Sequence, residues 1–364
     1  MEITGVKLHV FEAENDGLVT SYKGLSRQDT AAGTIQYTFV RVLTDEDVEG
    51  HYVLWSEIPE ARPGSLSETL ELIEPFLVGE DPLDREKIWQ RLANLWYGKK
   101  GSAMAAVDVA LWDIAGKQAG EPIYKLLGAY RDRVPAYASG NPAPGQDVVN
   151  LATDLVDEGY TALKLHPLSV DQCRAVREAV GPGVDLMHDP VFAYDRAEAL
   201  RVGRQLEELK FTWFEAPIPP TDVSGYVSLT SELDIPVTVE LQGSYGEFVR
   251  RNAVDRLRTM NGFTGGITEM RKLADVAAFH GMRWEPHTYG GVFYQMANLH
   301  AILATKQATF FELPIKDGES GVYAVGTDDE ITIDDEGYVT VPDRPGLGVG
   351  VDWDAVENGR TIEL

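Results

Sequence analysis

Three acidic residues recur at nearly equal intervals in the middle of the sequence, each at the end of a short apolar run. Asp189, Glu215 and Glu240 are separated by 26 and then 25 residues, the length of one strand–helix unit. In a barrel of parallel strands the strand ends meet at one rim, which would bring the three carboxylates together. Clustered, partly buried carboxylates cannot all stay ionised without a cation. A hard divalent ion with oxygen ligands meets this need, so the spacing predicts a Mg²⁺ site.

Basic groups precede and follow these acids in the same register. Lys164 and His166 are two residues apart, so on a strand they share one face, and they lie 25 and 23 residues before Asp189. The charge of the lysine disfavours protonation of the neighbouring imidazole, which predicts that His166 is a free base. His287 and Glu312 end two later apolar runs, 25 residues apart. Histidines on opposite sides of a metal site suit proton removal on one face and acid–base assistance on the other.

Each of these residues also has a purely structural interpretation. A single acid can cap a helix or face solvent, and a single histidine is commonly a hydrogen-bonded core group. Gly265 and Gly266 could open a phosphate-binding loop, but a tight strand-to-helix turn explains them equally well. The single cysteine, Cys173, excludes an internal disulfide framework and a cysteine metal cluster. The histidines outside the register are predicted to be structural, namely His9, His51, His188, His280 and His300.

The elements that must position these side chains follow from the apolar pattern. Eight short apolar runs alternate with helical patterns, which favours a (β/α) barrel over an open doubly wound sheet. The runs are residues 134–138, 162–165, 184–187, 211–214, 236–239, 256–260, 282–284 and 309–311. Strand patterns at 1–10 and 33–55, followed by helical patterns at 65–77, 84–95 and 102–127, predict a separate α+β domain. Short strands are predicted again at 331–333 and 338–341.

The charge balance limits the partners that the chain could bind. With 58 acidic and 32 basic residues, the net charge is -26, which repels nucleic acids and anionic lipid surfaces. A basic, apolar leader and apolar runs of about 20 residues are both absent from the sequence, which predicts a cytoplasmic protein. The acidic residues are spread over the chain, so we consider a halophilic origin, in which a salt-rich cytoplasm screens the self-repulsion.

One segment closely resembles a known family signature. Residues 105–128, AAVDVALWDIAGKQAGEPIYKLLG, resemble the signature of the enolase superfamily, mandelate racemase-like branch. Supporting matches are residues 213–217, 265–268, 286–287 and 345–349, so the resemblance covers essentially the whole chain. It implies an α/β fold: a modified (β/α)7β TIM-type barrel at 131–320 carries the active site under an N-terminal α+β capping domain at 1–130. Residues 321–364 are then expected to pack back on the capping domain.

The resemblance also implies a chemistry. Asp189, Glu215 and Glu240 are expected to bind Mg²⁺, which holds the carboxylate of a small-molecule substrate. The proton α to that carboxylate is removed, giving an enediolate that the ion stabilises. Lys164 matches the first lysine of a K-x-K pair near the substrate carboxylate, and His166 replaces the second lysine, the base on that side.

On the other side of the expected site, His287 matches the seventh-strand histidine and Glu312 the eighth-strand acid near the enediolate oxygen. The sequence departs from the pattern in two further places. The sixth-strand aspartate that pairs with the seventh-strand histidine aligns with Met260, and strand alternation turns the adjacent Asn261 away. The third-strand Asp-x-Asn reads Asp-Pro-Val at residues 189–191. Without an acidic neighbour His287 is poorly suited to be held as imidazolium, which disfavours a strict two-base racemase.

The leading hypothesis is a Mg²⁺-dependent dehydratase acting on a sugar acid. A base takes the C2 proton and the 3-hydroxyl leaves with acid assistance, giving a 2-keto-3-deoxy acid. Family analogy assigns a lid to Ser21, Tyr22 and Lys23, and a homo-oligomer is expected because the family commonly assembles from dimers upward. The alternatives are a racemase, epimerase or cycloisomerase of the same scaffold, a metal-free glycosidase using Glu215, and a non-catalytic relative. The identity of the acid, and which of the two histidines is the base, stay open.

Overall fold

A computed structural model describes most of the chain. The described residues are 1–15, 21–22, 25–26, 33–55, 63–95, 101–140, 142, 145–166, 168–241, 243–260, 264–315 and 326–363. Of the predicted lid, Ser21 and Tyr22 form a short strand, whereas Lys23 lies outside the described residues, as does Asn261. Among the described residues, we find no helix that is both long and apolar enough to cross a membrane.

The N-terminal part begins with an antiparallel sheet. Its long strands are rich in β-branched and aromatic residues, which favour a pleated, half-buried surface. The strands are β1 (Ile3–Asn15), the short pair β2 (Ser21–Tyr22) and β3 (Leu25–Ser26), then β4 (Gly33–Thr44) and β5 (Gly50–Trp55). Strand β4 lies between β1 and β5. Leu8, Phe39 and Val40 are fully buried, so the sheet is covered by the helices that follow.

Four α-helices follow the sheet among the described residues of this part of the chain. They are α1 (Pro63–Ile73), which is followed by a 3₁₀ turn, α2 (Arg85–Leu95), α3 (Ser102–Ala119) and α4 (Ile123–Leu126). The helical region predicted at 102–127 is thus two helices. Gly120 ends α3 in the left-handed conformation (φ 68°), and Pro122 cannot continue a helix.

Among its described residues, the barrel has eight parallel strand positions and seven helices. The strands are β6 (Arg133–Gly140), β7 (Ala162–Leu165), β8 (Asp185–His188), β9 (Trp213–Glu215), the two halves of a fifth position β10 (Val237–Thr238) and β11 (Glu240–Leu241), β12 (Arg256–Thr259), β13 (Arg283–Trp284) and β14 (Phe311–Pro314). The helices are α5 (Val148–Asp157), α6 (Val170–Val180), α7 (Arg196–Glu208), α8 (Val223–Glu232), α9 (Tyr245–Arg250), α10 (Gly266–Phe279) and α11 (Val292–Leu303). The last strand, β14, pairs in parallel with the first, β6, and the predicted (β/α)7β barrel is confirmed.

The end of the chain divides between the two parts. Strand β15 (Tyr338–Thr340) pairs antiparallel with β6 of the barrel, whereas β16 (Arg360–Glu363), after helix α12 (Trp353–Asn358), pairs with β1. The prediction of a strand at 331–333 was wrong. The side chain of Asp334 accepts backbone hydrogen bonds from Glu336 and Tyr338, so this part of the chain turns instead of extending. The division at 130 and 320 stays a prediction.

Two acids of the signature helix α3 join the parts together. Asp108 Oδ2 accepts a hydrogen bond from the backbone N–H of Thr268, in the first turn of α10 (2.9 Å). Asp113 Oδ1 accepts one from Leu347 N (2.8 Å), and Oδ2 accepts one from His51 N (3.0 Å). Gly346 has φ 72°, and a Cβ there would lie 2.2 Å from Asp113 Oδ1. The acids of the signature therefore hold the fold together and lie outside the predicted site.

Candidate active site

The structure brings the three equally spaced acids together. Asp189 follows β8, Glu215 ends β9 and Glu240 begins β11, so adjacent strands present them at one end of the barrel. One ligand oxygen from each lies within 4.8 Å of the others. Asp189 and Glu215 are buried, and the Glu240 side chain is 18% exposed. This oxygen-only set can hold a metal ion, and its chemistry suits a hard divalent cation. That Mg²⁺ is the ion bound stays a prediction.

Lys164 places a fixed positive charge beside these acids. Its Nζ lies 2.8 Å from Glu312 Oε1, 3.0 Å from Glu215 Oε1 and 3.7 Å from Asp189 Oδ2. Burial and the neighbouring Arg258 lower the pKa of Lys164, but Glu215 and Glu312 outweigh them and raise it well above its ordinary value. These neighbours favour the charged ammonium form, so Lys164 balances part of the negative charge of the adjacent carboxylates.

A second cation, Arg258 on β12, was missed by the sequence reasoning. Its side chain is fully buried, and it reaches three carboxylates: Nε lies 2.8 Å from Glu215 Oε1 and 3.2 Å from Glu240 Oε1, and Nη2 lies 2.8 Å from Glu312 Oε2. A signal existed in the sequence. Arg258 interrupts an apolar run that was predicted to be a barrel strand, two residues before Met260 and therefore on the same face.

The pKa values of the three carboxylates shift in different directions in these surroundings. Burial, followed by repulsion from Glu215, raises the pKa of Asp189 well above its usual range and that of Glu240 to about 7. Burial also raises the pKa of Glu215, but Arg258 and Lys164 together lower it to about 2. With Glu312 there are four carboxylates and two permanent cations. Fully ionised, the cluster carries two surplus negative charges, which one divalent ion would neutralise.

His166 is a neutral imidazole at the edge of this cluster. Its Nδ1 lies 3.3 Å from Asp189 Oδ2, and its Nε2 lies 3.4 Å from Ser139 Oγ. Burial and then the charge of Lys164 lower the pKa of His166 to about 3. The sequence pointed to the lysine, but burial is the larger cause. The ring is therefore neutral near pH 7, the form in which one imidazole nitrogen carries a free lone pair.

Glu312 is held as an ionised anchor. Its Oε1 accepts a hydrogen bond from Ser139 Oγ (2.8 Å) in addition to the ion pair with Lys164, and its Oε2 accepts one from Thr288 N (3.0 Å) and one from Arg258. Donors thus occupy both oxygens. Although burial raises the pKa of Glu312, Lys164 and Arg258 hold it well below its usual value. The ionised Glu312 carboxylate therefore pairs with both buried cations, Lys164 and Arg258.

Comparison with known proteins agrees with this geometry. The model of the enolase C-terminal domain-like family matches residues 147–355, and that of the mandelate racemase / muconate lactonizing enzyme N-terminal domain matches residues 24–128. The chain belongs to the enolase superfamily. It is 31% identical to an arabinonate dehydratase of Saccharolobus solfataricus, over 90% of this chain and 93% of that protein. It is 31% identical to a D-galactarolactone cycloisomerase of Agrobacterium fabrum, over 99% of each chain.

A solved member of the superfamily shares the whole architecture. The D-glucarate dehydratase of Agrobacterium tumefaciens, whose crystal structure is a complex with magnesium, superposes with a TM-score of 0.84. The sequences are 33% identical, and the match covers 99% of each chain. The capped barrel of this chain is therefore the fold of the enolase superfamily.

His287 shows the effect of the missing superfamily acid. Met260 forms a backbone bridge with His287, so it lies beside the histidine where the sixth-strand aspartate is expected. The Nδ1 atom of His287 is buried, and within the part of the chain that the structure describes it has no hydrogen-bond partner. Burial lowers the pKa of His287 to about 4. Like His166, this ring is a neutral imidazole and not an imidazolium acid.

The departure on the third strand leaves a strained turn beside the acids. Val191, where the superfamily pattern has asparagine, has φ 50°, a conformation that is costly for a β-branched residue. Its backbone N–H donates to Asp189 Oδ1 (2.9 Å). Ala216, directly after Glu215, has φ 44°. The two strained turns follow directly on two of the three acids, and the backbone hydrogen bond shows that one of them helps to orient its carboxylate.

The remaining predictions about polar residues concern the fold. His188 ends the barrel strand β8, and its side chain points away from the barrel interior, with Nδ1 3.6 Å from Cys173 Sγ and Nε2 3.1 Å from Tyr194 Oη. The glycine pair forms a tight turn: Gly266 has φ 77°, and the carbonyl of Gly265 accepts a hydrogen bond from a tryptophan of α2. The turn interpretation therefore accounts for the pair. Hydrogen bonds join His9 to Thr361, His51 to Glu49 and His300 to the carbonyl of Leu347. His280 is exposed.

Proposed function

We propose that this chain is a Mg²⁺-dependent sugar-acid dehydratase that converts its substrate to a 2-keto-3-deoxy acid. The observation that carries the proposal is the meeting of three carboxylates, the fixed cation Lys164 and the neutral imidazole of His166 at one end of the barrel. Two similar proteins, an arabinonate dehydratase and a D-glucarate dehydratase, support a sugar acid as the substrate class.

The proposed ion ligands are Asp189, Glu215 and Glu240. Their donor atoms are all carboxylate oxygens, and the surplus charge of the cluster matches a divalent cation. Mg²⁺, when bound, supplies Lewis-acid stabilisation of the negative charge that develops when a proton is removed next to a carboxylate. The charged ammonium of Lys164 adds a second positive group on the same side, where it favours binding of the substrate carboxylate.

The histidines carry the proton in this proposal. A neutral imidazole takes the C2 proton and becomes imidazolium, and an imidazolium is the form that can protonate the departing 3-hydroxyl. The C2–H and C3–O bonds break, a C2–C3 double bond forms, and water leaves. The resulting enol then isomerises to the 2-keto acid. His166 and His287 are both neutral, so either can be the base, and the structure supports each assignment equally.

A cycloisomerase is the second candidate. The similar D-galactarolactone cycloisomerase matches 99% of this chain. It supports the cycloisomerase hypothesis because its identity, 31%, equals that of the arabinonate dehydratase. A two-base racemase is less well supported, because His287 has no carboxylate to hold it as imidazolium.

A panel of aldonic and aldaric acids tests the proposal. We expect at least one acid to yield a 2-keto product with Mg²⁺, and we expect EDTA to abolish the reaction until Mg²⁺ is restored. Activity on no acid by a protein that binds Mg²⁺ would exclude the dehydratase. Exchange of the α-hydrogen in deuterated solvent without loss of water would identify an isomerase instead, and activity that survives EDTA would favour the metal-free glycosidase.

We further propose that the protein is a cytoplasmic homo-oligomer. The homo-oligomer rests on the family resemblance. Size-exclusion chromatography with light scattering tests the oligomer, and a monomeric mass would contradict it.

A further inference from the structure

The buried guanidinium of Arg258 is more than a counter-charge. It lies inside the barrel on β12, and the same Nε atom approaches Oε1 of Glu215 (2.8 Å) and Oε1 of Glu240 (3.2 Å). These are two of the three proposed ion ligands, and they come from neighbouring strands. A single planar group therefore bridges them and fixes their separation.

The other side of the guanidinium joins this bridge to a second anchor. Nη2 ion-pairs with Glu312 (2.8 Å), and Nη1 lies 3.3 Å from Tyr137 Oη. Glu312 in turn binds Lys164, whose Nζ contacts Glu215 from its other side. The two cations alternate with the two carboxylates of Glu215 and Glu312 in a closed ring of four charged contacts. Burying an arginine is costly, and this cost is offset only where the geometry is good and the partners are charged.

We propose that Arg258 is a positioning residue of the ion site, which holds Glu215 and Glu240 at the spacing that one divalent ion requires. This inference rests on the proposed metal site of the dehydratase. The sixth strand lacks the acid that the superfamily pattern places at Met260. In this chain the same strand instead supplies Arg258, two residues before Met260, and its guanidinium contacts two of the proposed ligands.

Positioning and charge predict opposite results when Arg258 is removed. If Arg258 were only a positive charge near the site, its loss would tighten the binding of a cation, because a repulsive charge would be gone. If it positions the ligands, its loss would weaken binding, because two carboxylates from different strands would lose the guanidinium that both contact. Outer partners of metal ligands typically contribute about 10- to 100-fold to affinity. The sign of the change therefore distinguishes the two roles.

The test measures Mn²⁺ affinity, by calorimetry and by the electron paramagnetic resonance of bound Mn²⁺, without any substrate. The variants are Arg258→Met and Arg258→Lys. Arg256→Met is the matched control. Arg256 lies on the same strand, but its Nη1 pairs with Glu285 Oε1 (2.7 Å) and not with any of the three proposed ligands. Circular dichroism at the titration temperature confirms which variants are folded.

We expect Arg258→Met to weaken Mn²⁺ binding by about 10- to 100-fold. Arg258→Lys should lie between this variant and the wild type, because an ammonium keeps the charge but cannot reach three carboxylates. Arg256→Met should bind like the wild type. The lysine variant alone carries the test if the methionine variant does not fold. Unchanged or tighter binding by the folded Arg258 variants would overturn the inference, as would an equal loss in Arg256→Met.

The outcome is separable from that of the proposed function. Wild-type protein that binds Mn²⁺ but dehydrates no sugar acid would exclude the dehydratase and leave the role of Arg258 intact. Wild-type protein that binds no Mn²⁺ would remove both.

Discussion

At the scale of single residues, the proposed chemistry depends on imidazoles kept neutral by their surroundings. His166 lies between an acid of the proposed ion site and the hydroxyl of Ser139, and burial together with Lys164 keeps it unprotonated. A base of this kind works at neutral pH without first losing a proton. Its position next to Lys164 also means that a proton taken from substrate is destabilised on the ring and is readily passed on.

If His166 is the base, its replacement by asparagine should lower kcat by about 10²–10⁴-fold, the usual contribution of a positioned base. Mn²⁺ affinity should stay near that of the wild type, because the three carboxylates remain. Steady-state rates on the acid identified by the panel provide the measurement. His280→Asn, at an exposed position, is the control for the substitution itself. Full activity in His166→Asn together with a large loss in His287→Asn would assign the base to His287.

At the scale of elements, a neutral histidine also fastens helices together. The Nδ1 of His300, on α11, accepts a hydrogen bond from the backbone N–H of Tyr124 on α4 (3.2 Å). Its Nε2 lies 3.1 Å from the carbonyl of Leu347, in the returning chain. A ring that accepts at one nitrogen and donates at the other must be neutral. Burial lowers the pKa of His300 to about 4.

This arrangement makes stability depend on pH with a definite sign. Between about pH 6.5 and pH 4 the unfolded chain protonates His300 but the folded chain does not, so stability is lost as the pH falls through this window. A shift of this size corresponds to about 3 kcal/mol. Urea unfolding at pH 7.5, 6 and 5 should show a shallower loss in His300→Gln than in the wild type. His280→Gln should keep the wild-type slope, and equal slopes in all three proteins would contradict the prediction.

The sequence predicted the elements better than it predicted their ends or their buried charges. Six of the eight apolar runs begin and end within two residues of a single strand, because a buried parallel strand requires an apolar run. The eighth run, at 309–311, ends three residues before the end of β14. The fifth position is split in two, around Val239. The segment at 331–333 has a strand composition, but the side chain of Asp334 turns the chain there. Arg258 was missed because a charged residue does not fit the apolar pattern of a buried strand. Only the packed structure shows that the carboxylates that pair with Arg258 lie inside the barrel.

At the scale of the whole molecule, the dominant feature is charge. The net charge is -26, and the acidic residues are distributed along the chain. Exposed carboxylates repel one another over a distance that falls to about 3 Å in 1 M salt, so added salt relieves this repulsion. The folded state concentrates the charge more than the unfolded chain does, and it therefore gains more from screening.

Stability should consequently fall when salt is removed. We expect Tm to decrease by about 5 °C or more between about 2 M and 0.1 M KCl, since self-repulsion is then unscreened. Differential scanning fluorimetry across a KCl series measures this. A parallel series in sucrose at matched osmolality controls for general solvent exclusion. A Tm that does not change with KCl would remove the halophilic hypothesis and would leave the proposed active site untouched.

The hydrogen bond between Asp113 and Leu347 has a consequence for synthesis on the ribosome. The two residues are 234 positions apart, so the signature helix is made long before its last partner exists. At ordinary translation rates this interval is on the order of ten to fifty seconds. During that time Asp113 Oδ1 lacks this donor, and the contact between the helix and the returning chain cannot form. The nascent N-terminal segment is therefore a late-maturing unit, completed only when the far end of the polypeptide arrives.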